Sequence, residues 1–216
     1  MIDAATKPTG LLLAGGQSRR MSDAFAAGRG DKGLLELSGK PMLGHVIERL
    51  APQAGRLVIN ANGDPQRFAS FDLPVVPDTI EGFAGPLAGI LAGMRWSLAN
   101  APGATHVVSV STDAPFLPAD LVTKLQQGLA TASGSIALAQ SGGELHPVIG
   151  LWPVALADDL EQALRSGTRK VLAWTDRHGT VSVEFPFTQL NGRSVDPFFN
   201  ANTPEELAEA RHLLAG

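Results

Sequence analysis

A short apolar run that stops at two glycines lies close to the amino terminus. Leu11–Leu13 is followed by Ala14 and then by Gly15 and Gly16. Such a run is typical of a buried strand that turns sharply at its carboxyl end. Adjacent glycines let the backbone reach positive φ and approach a ligand closely. A helix that starts at Gln17 would add free amides that favour a phosphate. The segment therefore predicts a strand, a tight turn and an anion site.

Three cations accompany this turn. Arg19 and Arg20 follow the glycines closely, and Lys32 adds a further ammonium after an intervening segment. Together they indicate a binding site for a polyphosphate. The segment is neither a Walker loop nor a GxGxxG dinucleotide fingerprint, because neither pattern occurs in it. From the residues alone, an ordinary strand-to-helix turn with solvated arginines is an equally good interpretation.

Composition narrows the class of protein. A chain of 216 residues that is 44% hydrophobic suffices for one domain with a substantial core, which we place over residues 1–216. The net charge of −4 argues against broad nucleic-acid binding. Without cysteine, the chain has no disulfide, thiolate nucleophile or thiolate-bound metal. No apolar run approaches membrane-spanning length, and the amino terminus lacks the apolar stretch of a secretory signal. We therefore expect a cytoplasmic protein without membrane contact.

Strand and helix patterns alternate along most of the chain. Strand patterns cover residues 56–60, 75–76 and 106–110, with apolar periodicities of helical spacing among them. Two apolar stretches flank a glycine turn at residues 142–143 and indicate a hairpin, and residues 180–185 alternate as a strand. These patterns predict an α/β fold, a Rossmann-like three-layer α/β/α sandwich with a mostly parallel, mixed sheet. One helix is expected to place an apolar face in the core: Leu87, Ile90, Leu91, Met94 and Leu98.

Polar residues follow several of the predicted strands. Asn60, Asp78 and Asp113 each lie at or just beyond the carboxyl end of one. Ligands of open α/β sheets bind at that edge, so Asp113 should lie beside the glycine turn if the two strands are near neighbours. A carboxylate there suits Mg²⁺, which prefers oxygen ligands. Asparagine and aspartate at such positions also commonly cap turns, and that alternative stays open.

The order of these motifs resembles a known family. LLLAGGQSRRM followed by DKGLLELSGKPMLGHV closely resembles the amino terminus of the molybdenum cofactor guanylyltransferases, the MobA family. The similarity spans nearly the full chain and continues through residues 57–62, 77–78, 85–89, 112–116, 146–147 and 199–207. It implies the fold predicted above, in the form found in nucleotide-diphospho-sugar transferases.

The resemblance also implies a reaction and a nucleotide site. GTP and molybdopterin, with or without molybdenum, would give the guanine dinucleotide cofactor and pyrophosphate. Lys32, Asp113 and Arg19 would be catalytic, with Mg²⁺ (or Mn²⁺) held by Asp113. The nucleotide would contact a larger set: Leu13, Ala14, Gly15, Gly16, Lys32, Asn60, Asp78, Gly85, Gly89 and Asp113. Gly85 and Gly89 would allow close approach, either of the base or of another element.

The second substrate requires its own contacts. The pterin would need an anion-binding surface, and the candidates for it are His146, Arg169, Lys170, Asn200 and Asn202. A structural histidine, solvated cations and structural asparagines are the alternatives. Molybdenum-insertion proteins and proteins that mature acceptor molybdoenzymes would be partners, and we expect a monomer.

One segment departs from the family pattern, and other functions compete. Residues 22–30 are inserted before the DKG motif, either as a lid or as a neutral insertion, and we favour the neutral interpretation. A CTP-dependent molybdopterin cytidylyltransferase or a sugar-phosphate nucleotidyltransferase would use the same fold and metal. A non-catalytic nucleotide-binding carrier is a different class. A dinucleotide-dependent oxidoreductase is disfavoured by the missing GxGxxG pattern.

Overall fold

The computed structural model describes residues 7–14, 31–80, 82 and 85–215. Gly15, Gly16, Arg19 and the insertion at residues 22–30 lie outside the described residues, so the predictions for them stay predictions. The strands are β1 (Thr9–Leu13), β2 (Glu36–Leu37), β3 (Lys40–Pro41), β4 (Leu57–Asn60), β5 (Val75–Val76), β6 (His106–Ser111), β7 (Ile136–Ser141), β8 (Glu144–Pro153), β9 (Thr180–Glu184), β10 (Thr188–Leu190) and β11 (Arg193–Val195). The α-helices are α1 (Met42–Leu50), α2 (Pro86–Asn100), α3 (Leu121–Thr131), α4 (Ala157–Arg165), α5 (Val171–Thr175) and α6 (Pro204–Ala215). Short 3-10 helices cover Lys32–Leu34, Pro65–Phe71, Val154–Leu156 and Asp176–His178.

One large sheet organises the described part of the chain. Its strand order is β5-β4-β1-β6-β8-β7-β9. β8 runs antiparallel to both of its neighbours, and the other pairs in this sheet are parallel. The predicted mostly parallel, mixed sheet with a late hairpin is therefore confirmed. After β1 the chain adds β4 and β5 on one side of that strand, and it then returns to add β6 on the other side. Open α/β sheets form a ligand crevice at the point where the strand order reverses in this way.

Alternating side chains along the strands build an apolar core on each face of the sheet. Leu12 faces the side covered by α1 and α3, and Leu11 faces the side covered by α2 and α4. Because consecutive strand residues point to opposite faces, a strand with helices on both sides reads as an uninterrupted apolar run. The predicted three layers follow from this arrangement.

A third apolar cluster lies around α6. It joins Leu207 and Leu213 of that helix to Leu37 of β2 and Phe116 of the loop after β6. This cluster packs the carboxyl-terminal helix beside the segment that contains Lys32.

One predicted core residue is wrong. Leu98 of α2 is 52% exposed, whereas the other four members of the predicted face are buried. Ser97 takes the inward position in the last turns of the helix, because its hydroxyl bonds to that of Thr9 at 2.7 Å inside the core. Leu98 is consequently turned toward solvent. None of the described helices is both long enough and apolar enough to cross a membrane.

Candidate active site

Strands β1, β4 and β6 end side by side at one edge of the sheet. Leu13 pairs with Asn60 on β4 and with Ser111 on β6. The amide of Ala14 donates to the carbonyl of Asn60 at 2.9 Å. β1 and β6 are therefore neighbours, which is the condition on which the expected position of Asp113 depended, and Leu13 and Ala14 lie between two strands that end in polar residues.

Asp78 and two asparagines form a hydrogen-bonded cluster at this edge. Asn60 Nδ2 donates to Asp78 Oδ1 at 3.0 Å, and Asn62 Nδ2 donates to Asp78 Oδ2 at 2.9 Å. The amide of Asp78 donates back to Asn62 Oδ1 at 2.9 Å. Each oxygen of an ionised carboxylate has two acceptor sites, so both can accept a further bond. The asparagines thus orient Asp78 and leave it able to bind a donor.

Gly89 allows helix α2 to pack closely against this cluster. A Cβ placed on Gly89 would lie 2.8 Å from Leu13 Cδ2 and even closer to Asn60 Oδ1. The sequence left open whether Gly89 allows the close approach of the base or of another element. In the structure, the element that approaches Gly89 closely is β4, through Asn60. Within the described part of the chain, nothing lies within 4 Å of a Cβ placed on Gly85, which precedes α2.

Asp113 lies just beyond β6 and contacts the loop ahead of α6. Ser111 Oγ donates to its carboxylate. Its carbonyl oxygen accepts from the amide of Ala201 at 3.1 Å. In the same loop, Asn200 Oδ1 is buried and has no hydrogen-bond partner among the described residues. The carboxylate of Asp113 and the unpartnered amide oxygen of Asn200 therefore lie on two segments that are joined by a backbone hydrogen bond.

Lys32 reaches the same loop from the other side. Its Nζ donates to Asn202 Oδ1 at 2.7 Å. The next residue, Gly33, packs against Thr112, since a Cβ there would lie 2.8 Å from Thr112 Cβ. An ammonium has three donors, so two remain for a phosphate. Lys32 and the backbone around Asp113 therefore meet at residues 200–202, although nine residues are inserted ahead of the DKG motif.

His146 belongs to a hydrogen-bonded chain at the β7–β8 hairpin. Ser141 Oγ donates to Asp196 Oδ1 at 2.8 Å, so its lone pair accepts from His146 Nε2 at 2.7 Å. This arrangement fixes the proton on Nε2 and makes Nδ1 an acceptor in the neutral ring. Burial lowers the pKa of His146, against smaller opposing effects of Asp196, Glu144 and Glu184. The imidazole ring of His146 packs on the ring of Phe198, with 4.8 Å between the ring centroids. Phe198 lies two residues ahead of Asn200 in the chain.

The two basic residues predicted to bind the pterin lie between α4 and α5. Arg169 donates to the carbonyls of Leu164 and Thr168 at 3.1 and 3.0 Å, as a side chain that caps the carboxyl end of a helix does. Lys170 is exposed at the start of α5. Their role toward a pterin stays a prediction.

Arg67 is the site residue that sequence reasoning missed. It forms an ion pair with Asp31, immediately ahead of Lys32, and donates to the carbonyl of Asn62 at 2.7 Å. Asp31 belongs to the DKG motif, but Arg67 lies 36 positions away and outside every motif described above, so no signal in the sequence pointed to the pair. The sequence does carry a signal at the start of α6, where Thr203 and Glu206 have the spacing of a capping box. Glu206 accepts from the amides of Asn202 and Thr203 at 2.7 and 2.9 Å and holds the loop ahead of the helix.

Comparison with known proteins identifies the family. A sequence model of the MobA-like NTP transferase domain matches residues 10–181, which include the described strand ends and the polar residues on them. The chain belongs to the MobA-like NTP transferases. Two full-length relatives are similar to this MobA-like transferase, and both are named molybdenum cofactor guanylyltransferase. The one from Bradyrhizobium sp. (strain ORS 278) is 52% identical over 97% of this chain and 94% of its own length. The one from Rhizobium meliloti (strain 1021) is 50% identical over 97% and 93%. The family resemblance seen in the sequence is therefore confirmed.

A solved structure supports the fold. The crystal structure of molybdopterin-guanine dinucleotide biosynthesis protein A from Archaeoglobus fulgidus matches with a TM-score of 0.71. It is 24% identical and covers 96% of this MobA-like transferase and 98% of its own chain. The strand order and layers described above are thus those of a MobA-type protein.

Proposed function

We propose that the chain transfers GMP from GTP to the terminal phosphate of molybdopterin, releasing pyrophosphate and forming the guanine dinucleotide cofactor. The observation that supports this most is the meeting of Lys32 and the Asp113 segment on one loop, beside the cluster around Asp78. The choice of acceptor and nucleotide rests on the name of the two relatives, molybdenum cofactor guanylyltransferase.

The chemistry requires little of the protein beyond charge and alignment. A phosphate monoester, with a second pKa near ~6, is largely ionised at neutral pH and needs no general base. One of its oxygens attacks the α-phosphorus of GTP, and the bond from that phosphorus to the bridging oxygen breaks as pyrophosphate leaves. The difficulty is the approach of two polyanions. Lys32 contributes a fixed positive charge with two free donors at the loop it shares with Asn202.

The residues around Asp113 fit a hard divalent cation. The Asp113 carboxylate and Asn200 Oδ1 are oxygen ligands of the kind that Mg²⁺ and Mn²⁺ accept. Within the described ranges, no group of three or more histidines, cysteines, aspartates or glutamates forms an all-protein cage. This suits an ion that keeps water and substrate phosphates among its ligands. When bound, Mg²⁺ would neutralise phosphate charge and stabilise the departing pyrophosphate.

Asp78 is suited to recognising guanine. A carboxylate presents two acceptors, and the Watson–Crick edge of guanine presents two adjacent donors, N1–H and N2–H₂. Cytosine offers a single donor group on that edge. Because Asn60 and Asn62 hold both oxygens of Asp78 in place, the carboxylate is preorganised for such a pair.

The pterin contacts and the cellular setting complete the proposal. We assign the pterin to the region of His146, Asn200 and Asn202, with Arg169 and Lys170 as additional cations. We further propose that the chain acts as a monomeric single domain in the cytoplasm, where GTP is available. Molybdenum-insertion and molybdoenzyme maturation proteins would be its partners.

Pyrophosphate release tests the proposed function directly. The chain is incubated with Mg²⁺, molybdopterin and either GTP or CTP, and pyrophosphate is measured. We expect release that requires the pterin and favours GTP. Asp113→Ala should lower the rate on the order of 10²–10³-fold, as the loss of a preorganised electrostatic group does. Asp176→Ala, an exposed aspartate in the 3-10 helix ahead of β9, is the matched control and should retain the rate.

Other outcomes would contradict the proposal. Equal release with CTP would indicate a cytidylyltransferase. Tight GTP binding without release would indicate a carrier. An Asp113→Ala variant with the wild-type rate would remove the metal assignment.

A further inference from the structure

Arg67 makes three contacts through a single guanidinium group, one to Asp31 and two to the loop just ahead of Arg67 in the chain. Its Nε donates to the carboxylate of Asp31. Its Nη2 donates to the carbonyl of Asn62 at 2.7 Å, and its Nη1 donates to the carbonyl of Asp64. The side chain of Arg67 is only 25% exposed and that of Asp31 only 16%. A charge-assisted bond that is largely shielded from water is stronger and better ordered than a surface ion pair.

Two of these contacts lead directly to functional groups. Asp31 directly precedes Lys32, whose Nζ lies 2.7 Å from Asn202 Oδ1. Asn62, whose carbonyl Arg67 contacts, binds Asp78 through its side chain at 2.9 Å. Arg67 therefore links the cation expected to hold the triphosphate with the carboxylate expected to read the base.

We propose that Arg67 is a positioning residue that holds Lys32 and the cluster around Asp78 at a fixed separation. The inference rests on the proposed function, because it assumes that one GTP molecule spans both. The planar guanidinium presents donors in a rigid fork, and a lysine ammonium at the same position cannot reproduce three directed bonds. The distance between the two ends of the nucleotide site is thereby set by residues that need not touch the substrate.

Further contacts among the described residues hold the segment that follows Lys32. Gly33 packs on Thr112, and the carbonyl of Leu35 accepts from the amide of Met42 at 2.9 Å. Both contacts lie after Lys32 in the chain. Among the described residues, the ion pair with Arg67 holds Asp31, the residue directly ahead of Lys32.

A double-mutant cycle tests the proposal. We expect Arg67→Met to lower kcat/KM for GTP by about 10- to 100-fold, since misplacing a catalytic group by about 1 Å costs on that order. In the Lys32→Ala background, the same substitution should cost less than about 3-fold, because Arg67 then has no ammonium left to position. Arg56→Met, which changes an exposed arginine just ahead of β4, is the matched control and should retain kcat/KM in both backgrounds.

Two further measurements keep the result interpretable. Asp31→Asn removes the charge of the pair with little change in shape, so it replaces Arg67→Met in the cycle if that variant does not fold. The melting temperature of every variant is measured alongside. Equal losses from Arg67→Met in both backgrounds would show a purely structural role and overturn the inference. A wild-type chain that releases no pyrophosphate would instead overturn the proposed function.

Discussion

A single glycine shows how tightly the nucleotide side of the site is packed. Gly89 faces Asn60, and Asn60 in turn orients Asp78. A methyl group on Gly89 would displace the asparagine, and the carboxylate would then lose one of its two supports. We expect Gly89→Ala to raise KM for GTP by about 10-fold, the equivalent of about 1.4 kcal/mol, while kcat changes less. Steady-state kinetics with varied GTP would measure this.

Gly93 provides the matched control for that substitution. It lies one turn further along α2, and a Cβ there would crowd Leu11 at 2.5 Å. Gly93→Ala should therefore lower the melting temperature, as overpacking of a core does, and leave KM for GTP unchanged. If both variants raised KM equally, the effect would be due to general disturbance of α2 and not to Asn60.

Helix α6 illustrates how an element far along the chain contributes to the site. Its capping box binds the amide of Glu206 to Thr203 Oγ1 at 3.2 Å and the amide of Thr203 to Glu206 at 2.9 Å. The same carboxylate of Glu206 holds the amide of Asn202, the partner of Lys32. The cap of the helix thus also fixes the loop on which the Lys32 and Asp113 segments meet.

Removing the cap should affect stability and activity together. Thr203→Ala is expected to cost about 1 kcal/mol of unfolding free energy, the usual loss for an N-cap threonine, and to lower kcat/KM for GTP. Thr123→Ala, on the exposed side of α3, is the matched control and should cost neither. Urea denaturation and kinetics on the same samples would measure both. An unchanged kcat/KM in a destabilised Thr203→Ala would separate the cap from the position of Asn202.

The stability of the whole molecule depends on pH through contacts between α4 and the segment formed by α5 and the 3-10 helix after it. Asp159 Oδ1 accepts from Trp174 Nε1 and pairs with His178 Nε2, each at 2.8 Å. The bond from Trp174 and the contacts with His178 lower the pKa of Asp159, against desolvation. A lowered pKa in the folded state means that the stabilisation is present above the usual aspartate pKa near ~4 and is lost as pH falls through the folded value.

Asp159→Ala should therefore destabilise the chain at neutral pH and have little effect in acid. The side chain is 35% exposed, so we expect a loss on the order of 1 kcal/mol at pH 7, discounted for screening by water. The difference from wild type should shrink as pH falls below ~4. Asp158→Ala, an aspartate of the same helix that is 89% exposed, is the control. A difference between Asp159→Ala and wild type that stays constant with pH would contradict the assignment.

The layers of the fold were predictable because they depend on local patterns. Uninterrupted apolar strands, amphipathic helices and a glycine hairpin each carry their own signal, and together they specify a mostly parallel sheet between helices. The placement of Asp113 near β1 followed from one general rule about strand ends. The prediction that Leu98 is buried was wrong because helical periodicity alone does not show where a hydroxyl such as that of Ser97 will find a partner inside the core.

Sequence patterns predicted the elements, the family and the residue types of the candidate site. The tertiary structure decided which of those residues meet: Lys32 with Asn202, Asp78 with two asparagines, and Asp31 with Arg67. The physical reason is that propensity and periodicity act between near neighbours in the chain. A hydrogen bond across 170 positions, such as that of Lys32, exists only after the sheet and α6 have packed.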